Sequence, residues 1–255
     1  SDGVNDAPAL KQADIGIGMG SGTEVAKDAS AMVLVDDNFA TIVNAIEVGR
    51  TVYSNIKKSI TYLFSGNLGG IISILFAVFA GWANPFTTIQ LLFINLVTDS
   101  LPAIALGFEK PEKNTMNKPP RDPNESILCK DTLKVVLTRG SIIGIVTILA
   151  QYIGMQTSDA LGAAMAFSTI TLSRIIQTFA ARSNSETICS LGFTSNKYAL
   201  GAVIVCLAMF STTLLPFMRG IFAIPSVFEI QNLAICFGLA VLATICMEIS
   251  KLFKR

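Results

Sequence analysis

The 255-residue chain is poor in charge: 51% of its residues are hydrophobic, 15% are charged, and the formal net charge is +1. A typical soluble domain has about 25% charged residues, so this composition excludes an ordinary soluble or disordered protein and predicts an integral membrane protein. The absence of histidine excludes histidine-based catalysis. The five cysteines form no CxxC spacing for a thiolate metal site, and no basic segment with interleaved aromatic residues suggests a nucleic-acid partner.

Residues 1–58 have the composition of a soluble segment, with 5 basic and 8 acidic side chains. Strands and helices are predicted to alternate within it, with strands at 14–18 and 31–35 and helices at 23–28 and 39–58. This alternation indicates a doubly wound α/β layer. Asp6 is placed to cap a first helix that has Pro8 in its first turn. Asp2 and Asp6 are carboxylates of the kind that bind Mg²⁺, but two carboxylates alone do not establish a site.

Long apolar runs fill the rest of the chain. From Ser59 to Thr98 no side chain is charged, and a Trp-Ala-Asn-Pro turn at 82–85 divides that stretch into two. A bilayer core requires about 20 apolar residues per helix, and backbone polar groups in lipid must be paired internally, so each run must be helical. We predict six transmembrane helices, at about 58–81, 86–106, 134–155, 160–181, 198–218 and 230–250.

Basic residues in the connections set the expected orientation. The predicted 107–133 loop contains five lysines and arginines, and the C-terminus contains Lys251, Lys254 and Arg255. The turn at 82–85 contains none. Because positive residues stay on the cytoplasmic side, we expect the N-terminal segment, this loop and the C-terminus to be cytoplasmic. An even number of spans agrees with that orientation.

Few polar side chains interrupt the spans, and those of the second span form a pattern. Asn95, Thr98 and Asp99 have the i, i+3, i+4 spacing of one α-helical face. Pro102 cannot donate a hydrogen bond to the carbonyl of Thr98, which frees a backbone oxygen beside Asp99. Hard cations prefer such oxygen ligands, and a carboxylate inside a membrane indicates a functional site. Asn67 fits either this site or a hydrogen bond between helices.

Arg174 lies well inside the fourth span. A buried guanidinium needs an anionic partner, and Asp99 is the only carboxylate well inside a span. Arg139 and Glu248 lie nearer to the cytoplasmic ends of the third and sixth spans. We expect those two residues to anchor at the membrane surface or to snorkel towards it.

Several stretches resemble a known family. DGVNDAPAL at 2–10, ADIGIGMGSGTEVAKDAS at 13–30 and VLVDDNF at 33–39 closely resemble the phosphorylation-domain hinge of P-type cation-transporting ATPases. LLFINLVTDSLPAIALGFEKP at 91–111 and KPPR at 118–121 resemble calcium pumps of the sarcoplasmic-reticulum type. The resemblance covers nearly the whole chain, most strongly up to residue 125. It implies the C-terminal portion of a bacterial calcium pump.

The resemblance implies an α-helical membrane bundle of six transmembrane helices, preceded by a partial α/β segment of haloacid-dehalogenase-like (Rossmannoid) fold. Residues 1–40 would end the phosphorylation domain, 41–57 would form a stalk helix, and 58–255 would hold the spans and the cytoplasmic loop 107–133. A helix from about 39 to 80, about 60 Å long, would connect the two parts. The phosphorylated aspartate and the nucleotide domain are expected upstream, so this piece alone is not expected to hydrolyse ATP.

The resemblance also implies roles for residues of both parts. Asp2 would bind Mg²⁺, while Asn5 and Asp6 would contact or position the phosphoryl group transferred from ATP, and Asp6 is a second candidate Mg²⁺ ligand. Within the membrane, four residues match ligands of the transported Ca²⁺, namely Asn67, Asn95, Thr98 and Asp99.

Two residues depart from the family's two-site pattern. Gly70 and Arg174 stand where the second calcium site has glutamates, and Gly70 would leave room for the long arginine side chain. Losing two carboxylates and gaining a cation cannot leave a Ca²⁺ site there. Arg174 would then act as a counter-charge to Asp99, and one Ca²⁺ per ATP is expected.

We therefore expect ATP-driven transport of Ca²⁺ out of the cytoplasm through an aspartyl phosphate, by a monomeric protein of the plasma-membrane bilayer. The same machine with Mn²⁺ or H⁺ as cargo is one alternative, because the oxygens of Asn95 and Asp99 suit Mn²⁺ nearly as well. A non-catalytic membrane channel or scaffold is another, and it would function without upstream sequence.

Overall fold

A computed structural model of the protein describes residues 2–122 and 125–253. The basic residues Lys254 and Arg255, and two positions of the predicted 107–133 loop, lie outside this description. The chain divides into two compact units, described separately below: Ser1–Tyr53 with Pro111–Pro119, and Ser54–Lys110 with Pro120–Arg255.

The first unit contains a small parallel sheet. Its elements are a 3₁₀ helix (Val4–Asp6), α1 (Ala7–Gln12), β1 (Ile17–Met19), α2 (Glu24–Ala29) and β2 (Met32–Leu34). β1 pairs with β2 in parallel, from Ile17 opposite Met32 to Met19 opposite Leu34. The helix α2 connects them, because parallel strands need a crossover connection. Thr23 begins α2 by accepting a hydrogen bond from the backbone nitrogen of Ala26 at 3.3 Å.

The prediction that the Asp6 side chain caps α1 is wrong, because that side chain makes no capping hydrogen bond to α1. Pro8 does lie in the first turn of α1. However, Asp6 Oδ2 accepts from the backbone nitrogens of Gly3 at 3.1 Å and Asp2 at 3.3 Å. The extra 3₁₀ turn places Asp6 within helical backbone, so its carboxylate turns back and caps that turn instead of α1.

The remaining elements are helical. They are α3 (Ala40–Ala80), α4 (Thr88–Phe93), a π-helical segment (Ile94–Thr98), α5 (Asp99–Leu106), α6 (Lys130–Met155), α7 (Asp159–Ala181), α8 (Ile188–Leu191), α9 (Lys197–Thr213), α10 (Pro216–Arg219) and α11 (Ile230–Leu252). Among the described residues, five helical stretches are long and apolar enough to cross a membrane, namely α3, Thr88–Gly107, α6, α7 and α11. The predicted helical membrane bundle agrees with this. The apolar helix α9 is shorter, with 17 residues.

The helix α7 is the most buried element of the second unit, with 18 of its 23 residues buried. It packs against α6 and α11. The ring of Phe167 lies 6.0 Å from that of Phe93 and 6.1 Å from that of Phe222, measured between centroids. Because α7 is covered by other helices, a charged residue on it must find its partner inside the protein.

Glycines bring α6 and α7 into close contact. A Cβ atom at Gly154 would lie 2.7 Å from both the Cα and the backbone nitrogen of Gly162. Small residues at helix interfaces in membranes let the backbones approach closely, and van der Waals packing then stabilises the pair.

Substituting Gly154 tests this packing. Gly154→Ala should destabilise the full-length protein by about 1–3 kcal/mol, because the added methyl group overlaps the backbone of Gly162. Gly201→Ala is the control, since no described atom lies within 4 Å of a Cβ there and alanine favours the helix. Thermal unfolding of the detergent-solubilised protein measures the difference. Equal melting temperatures for the two variants would contradict the close contact.

Candidate cation-binding site

An ion pair lies at the centre of the candidate site. Arg174 Nη2 on α7 contacts Oδ1 of Asp99, the first residue of α5, and the two side chains are 2% and 14% exposed. The same nitrogen lies 3.4 Å from Asn67 Oδ1 on α3, so three helices meet at one guanidinium. Because a buried guanidinium without a partner is strongly destabilising, this contact constrains how α3, α5 and α7 pack.

Gly66 makes room for the guanidinium. A Cβ atom at Gly66 would lie 2.7 Å from both Cζ and Nη2 of Arg174, whereas a Cβ at Gly70 would meet Ile170 Cδ1 at an ordinary 3.7 Å. The prediction that Gly70 provides this room is therefore wrong. The guanidinium lies one helical turn nearer to the N-terminal end of α3 than that prediction assumed.

Tyr62 on α3 is a site residue that the sequence did not indicate. Its buried hydroxyl lies 2.6 Å from the carbonyl oxygen of Thr98 and 3.0 Å from that of Arg174, so it donates to one or the other. The Thr98 carbonyl is the one that Pro102 leaves without its helical donor. The unpaired carbonyl was predictable from the proline, but its new partner lies 36 positions earlier in the chain.

The predicted common face of Asn95, Thr98 and Asp99 is wrong for Thr98, which is buried where Asn95 is exposed. The segment from Ile94 to Thr98 is π-helical, and its wider turn replaces the α-helical spacing on which that prediction depended. Thr98 is fully buried and its Oγ1 donates to the carbonyl of Ile94 at 2.5 Å. Asn95, by contrast, is exposed. The structure thus brings Asn67 and Asp99 to Arg174 and leaves Asn95 on the surface of the described chain.

The residues matched to phosphoryl transfer lie together in the first unit. Asp2 and Asn5 are exposed, and Asp6 is half-buried. No three His, Cys, Asp or Glu side chains form a metal cluster within the described part of the chain. Mg²⁺ usually needs one or two protein carboxylates, with water and phosphate oxygens completing its coordination. The exposed Asp2 carboxylate, beside the Asp6 carboxylate that its backbone nitrogen contacts, fits that requirement.

Two charged residues near helix ends have hydrogen-bond partners within the protein. Arg139 on α6 is 3% exposed, and its Nη2 donates to the carbonyls of Ala180 at 3.2 Å and Ser183 at 3.4 Å. Glu248 Oε2 accepts from the backbone nitrogen of Ile188 at 2.7 Å. The prediction that Arg139 anchors at the surface or snorkels is therefore wrong, because carbonyls at the end of α7 offer acceptors that lipid lacks.

Known proteins share most of this sequence. The family model described as "Cation transporting ATPase, C-terminus" matches residues 83–253. Calcium-transporting ATPase 1 of Lactococcus lactis is 62% identical over 253 residues, which is 99% of this chain. Calcium-transporting ATPases of Listeria monocytogenes and Bacillus subtilis are 59% and 47% identical over 254 and 207 residues, or 100% and 80% of the chain. The matched region is 29% of the length of the first two relatives and 23% of the third. The chain belongs to the family of cation-transporting ATPase C-terminal regions.

Proposed function

We propose that this chain is the C-terminal part of an ATP-driven pump that moves Ca²⁺ out of the cytoplasm through an aspartyl-phosphate intermediate. The observation that carries the proposal is a carboxylate and an amide oxygen, from Asp99 and Asn67, gathered at Arg174 inside an apolar helical bundle. Oxygen ligands of this type suit Ca²⁺, and the names of the relatives point to the same ion. The phosphorylated aspartate and the nucleotide domain would belong to the part of those relatives that this chain does not span.

One Ca²⁺ per ATP follows from the charge at the site. The guanidinium of Arg174 carries a fixed positive charge. A Ca²⁺ ion about 5 Å away would be repelled by roughly 7 kcal/mol at an effective dielectric constant of about 20. The single negative charge of Asp99 would offset that repulsion for one ion but not for a second. The one ion would bind on the exposed side, where Asn95 lies, and would share the Asp99 carboxylate with the guanidinium.

The membrane topology is part of the proposal. Five helices have the length and composition of spans. The 17-residue α9 is about 26 Å long at 1.5 Å per residue and would complete a sixth crossing together with the turn and α10 that follow it. Both ends of the chain would then be cytoplasmic, as the basic 107–133 segment favours. Residues 1–40 would complete the phosphorylation domain and 41–57 the stalk.

Three residues of the first unit would bind or position the groups that take part in phosphoryl transfer. Bound Mg²⁺ would neutralise negative charge on that group during its transfer. The exposed Asp2 carboxylate would hold the ion, and the exposed Asn5 amide would donate a hydrogen bond to a phosphoryl oxygen. Asp6 would organise the loop, because its carboxylate accepts from the backbone nitrogens of Asp2 and Gly3.

Two aspartate substitutions, one in each unit, distinguish a loss of Ca²⁺ binding from a loss of phosphoryl transfer. Asp99→Asn in the full-length protein should abolish Ca²⁺-dependent phosphorylation from ATP and weaken Ca²⁺ binding roughly hundredfold or more, because a neutral amide no longer offsets the desolvation of the ion. Asp2→Asn should cut phosphorylation by orders of magnitude yet spare equilibrium ⁴⁵Ca²⁺ binding. Unchanged Ca²⁺-dependent phosphorylation in Asp99→Asn would remove Asp99 from the site.

A second pair of variants tests whether the guanidinium position matters for the site. Gly66→Ala should weaken Ca²⁺ binding roughly tenfold, because overpacking of about 1–3 kcal/mol pushes Arg174 away from Asp99 and the carboxylate loses its fixed position. Gly70→Ala, whose methyl group has ordinary room, should bind Ca²⁺ like the wild type. Isothermal titration calorimetry measures both affinities. Equal affinities for the two variants would show that the Asp99–Arg174 contact does not govern the site.

A further inference from the structure

A second buried ion pair lies beyond the ends of the helices that carry the first. Glu109 follows α5, and its backbone nitrogen donates to the carbonyl of Leu106 at 3.3 Å. Arg182 follows directly on α7. The two side chains meet in a bidentate contact: Nε lies 2.9 Å from Oε2, and Nη2 lies 2.9 Å from Oε1. The side chain of Arg182 is 1% exposed and that of Glu109 is 6% exposed. This pair is therefore at least as buried as the pair at the candidate cation site.

Glu109 also joins two further helices. Asn196, which caps the start of α9, donates through Nδ2 to Glu109 Oε2 at 2.7 Å. Asn55 on α3 donates through Nδ2 to the backbone carbonyl of Glu109 at 2.7 Å and to that of Gly107 at 3.2 Å. Arg182 Nη1 donates to the carbonyl of Gly192 at 2.8 Å. Glu109 is therefore the residue at which α3, α5, α7 and α9 are tied together.

The charged state of Glu109 favours this contact. Burial by itself would raise the pKa of Glu109, but the hydrogen bonds from Arg182 and Asn196, with the charges of Arg182 and Lys58, hold that pKa below its ordinary value. The carboxylate therefore stays ionised near neutral pH. A planar guanidinium that faces it with two parallel N–H donors fixes direction as well as distance.

We infer that the Glu109–Arg182 pair is a positioning latch: it sets the register of α5 against α7 and thereby holds Asp99 against Arg174. Arg182 lies eight residues after Arg174, about 12 Å along the same helix, and Glu109 follows the helix that begins at Asp99. Two helices joined at two levels cannot slide past each other without breaking both pairs. Neither latch residue touches the cation, so the latch acts through Asp99 and Arg174. Its effect on transport rests on the proposed function, but its effect on helix register does not.

A double-mutant cycle tests the latch without reference to any transported ion. The coupling between Asp99 and Arg174 is measured in full-length protein from the melting temperatures of Asp99→Asn, Arg174→Met and the double variant in EDTA. The same cycle is then repeated in a Glu109→Gln background. We expect the coupling to fall by at least half in that background. Glu112→Gln is the matched control, because it breaks an exposed ion pair with Lys118 of similar length, 3.0 Å, and should leave the coupling unchanged.

Two further results complete the test. Arg182→Lys keeps the charge but loses the bidentate geometry, and it should reduce the coupling as Glu109→Gln does, which covers the case in which one variant fails to fold. With the coupling weakened, the Ca²⁺ concentration that gives half-saturation should rise roughly tenfold in Glu109→Gln. Adding Arg174→Met should then raise it by less than Arg174→Met does in the wild-type background. An undiminished coupling in both latch variants would overturn the inference. A diminished coupling in a protein whose wild type does not bind Ca²⁺ would support the latch and refute the proposed function instead.

Discussion

A guanidinium inside a helical bundle must be neutralised where it stands, and this requirement organises the second unit of the protein. Arg174 lies on α7, which is the most buried of the candidate spans. Its contact with Asp99 joins α7 to α5, and its contact with Asn67 adds α3. Breaking a buried pair by removing one partner costs about 3–5 kcal/mol. Helix arrangements that separate the pair therefore cannot compete with the one observed.

The helices around this pair depart from locally favourable sequence or geometry in three ways. Gly66 has no side chain, so the guanidinium can lie close to the backbone of α3. The π-helical turn at 94–98 leads into Asp99, and Pro102 removes a helical donor that the Tyr62 hydroxyl replaces. Each departure weakens a helix by itself. Their concentration in one region is the pattern expected where a sequence serves a function rather than local stability.

The positions of the helices and of charges inside them could be predicted from the sequence, because both depend on local composition. The apolar runs locate the helices, and a charge inside such a run stands out, so Asp99 and Arg174 were visible as candidates. The π-helical turn at 94–98 could not be read from spacing, because the spacing argument assumes the α-helical period that the turn breaks. The pair of Glu109 and Arg182 gave no signal, because the residues are 73 positions apart and each looks like an ordinary polar residue near a helix end. Long-range pairing of this kind is determined by packing.

Counting bound ions decides whether Arg174 occupies the place of a second cation. Equilibrium binding of ⁴⁵Ca²⁺ to the full-length protein at saturation is divided by the maximal amount of phosphoenzyme formed from ATP in the same preparation. If the fixed positive charge beside Asp99 excludes one ion, the ratio is one Ca²⁺ per phosphorylation site. A ratio of two would contradict the exclusion and would require the guanidinium to leave the site when cations bind.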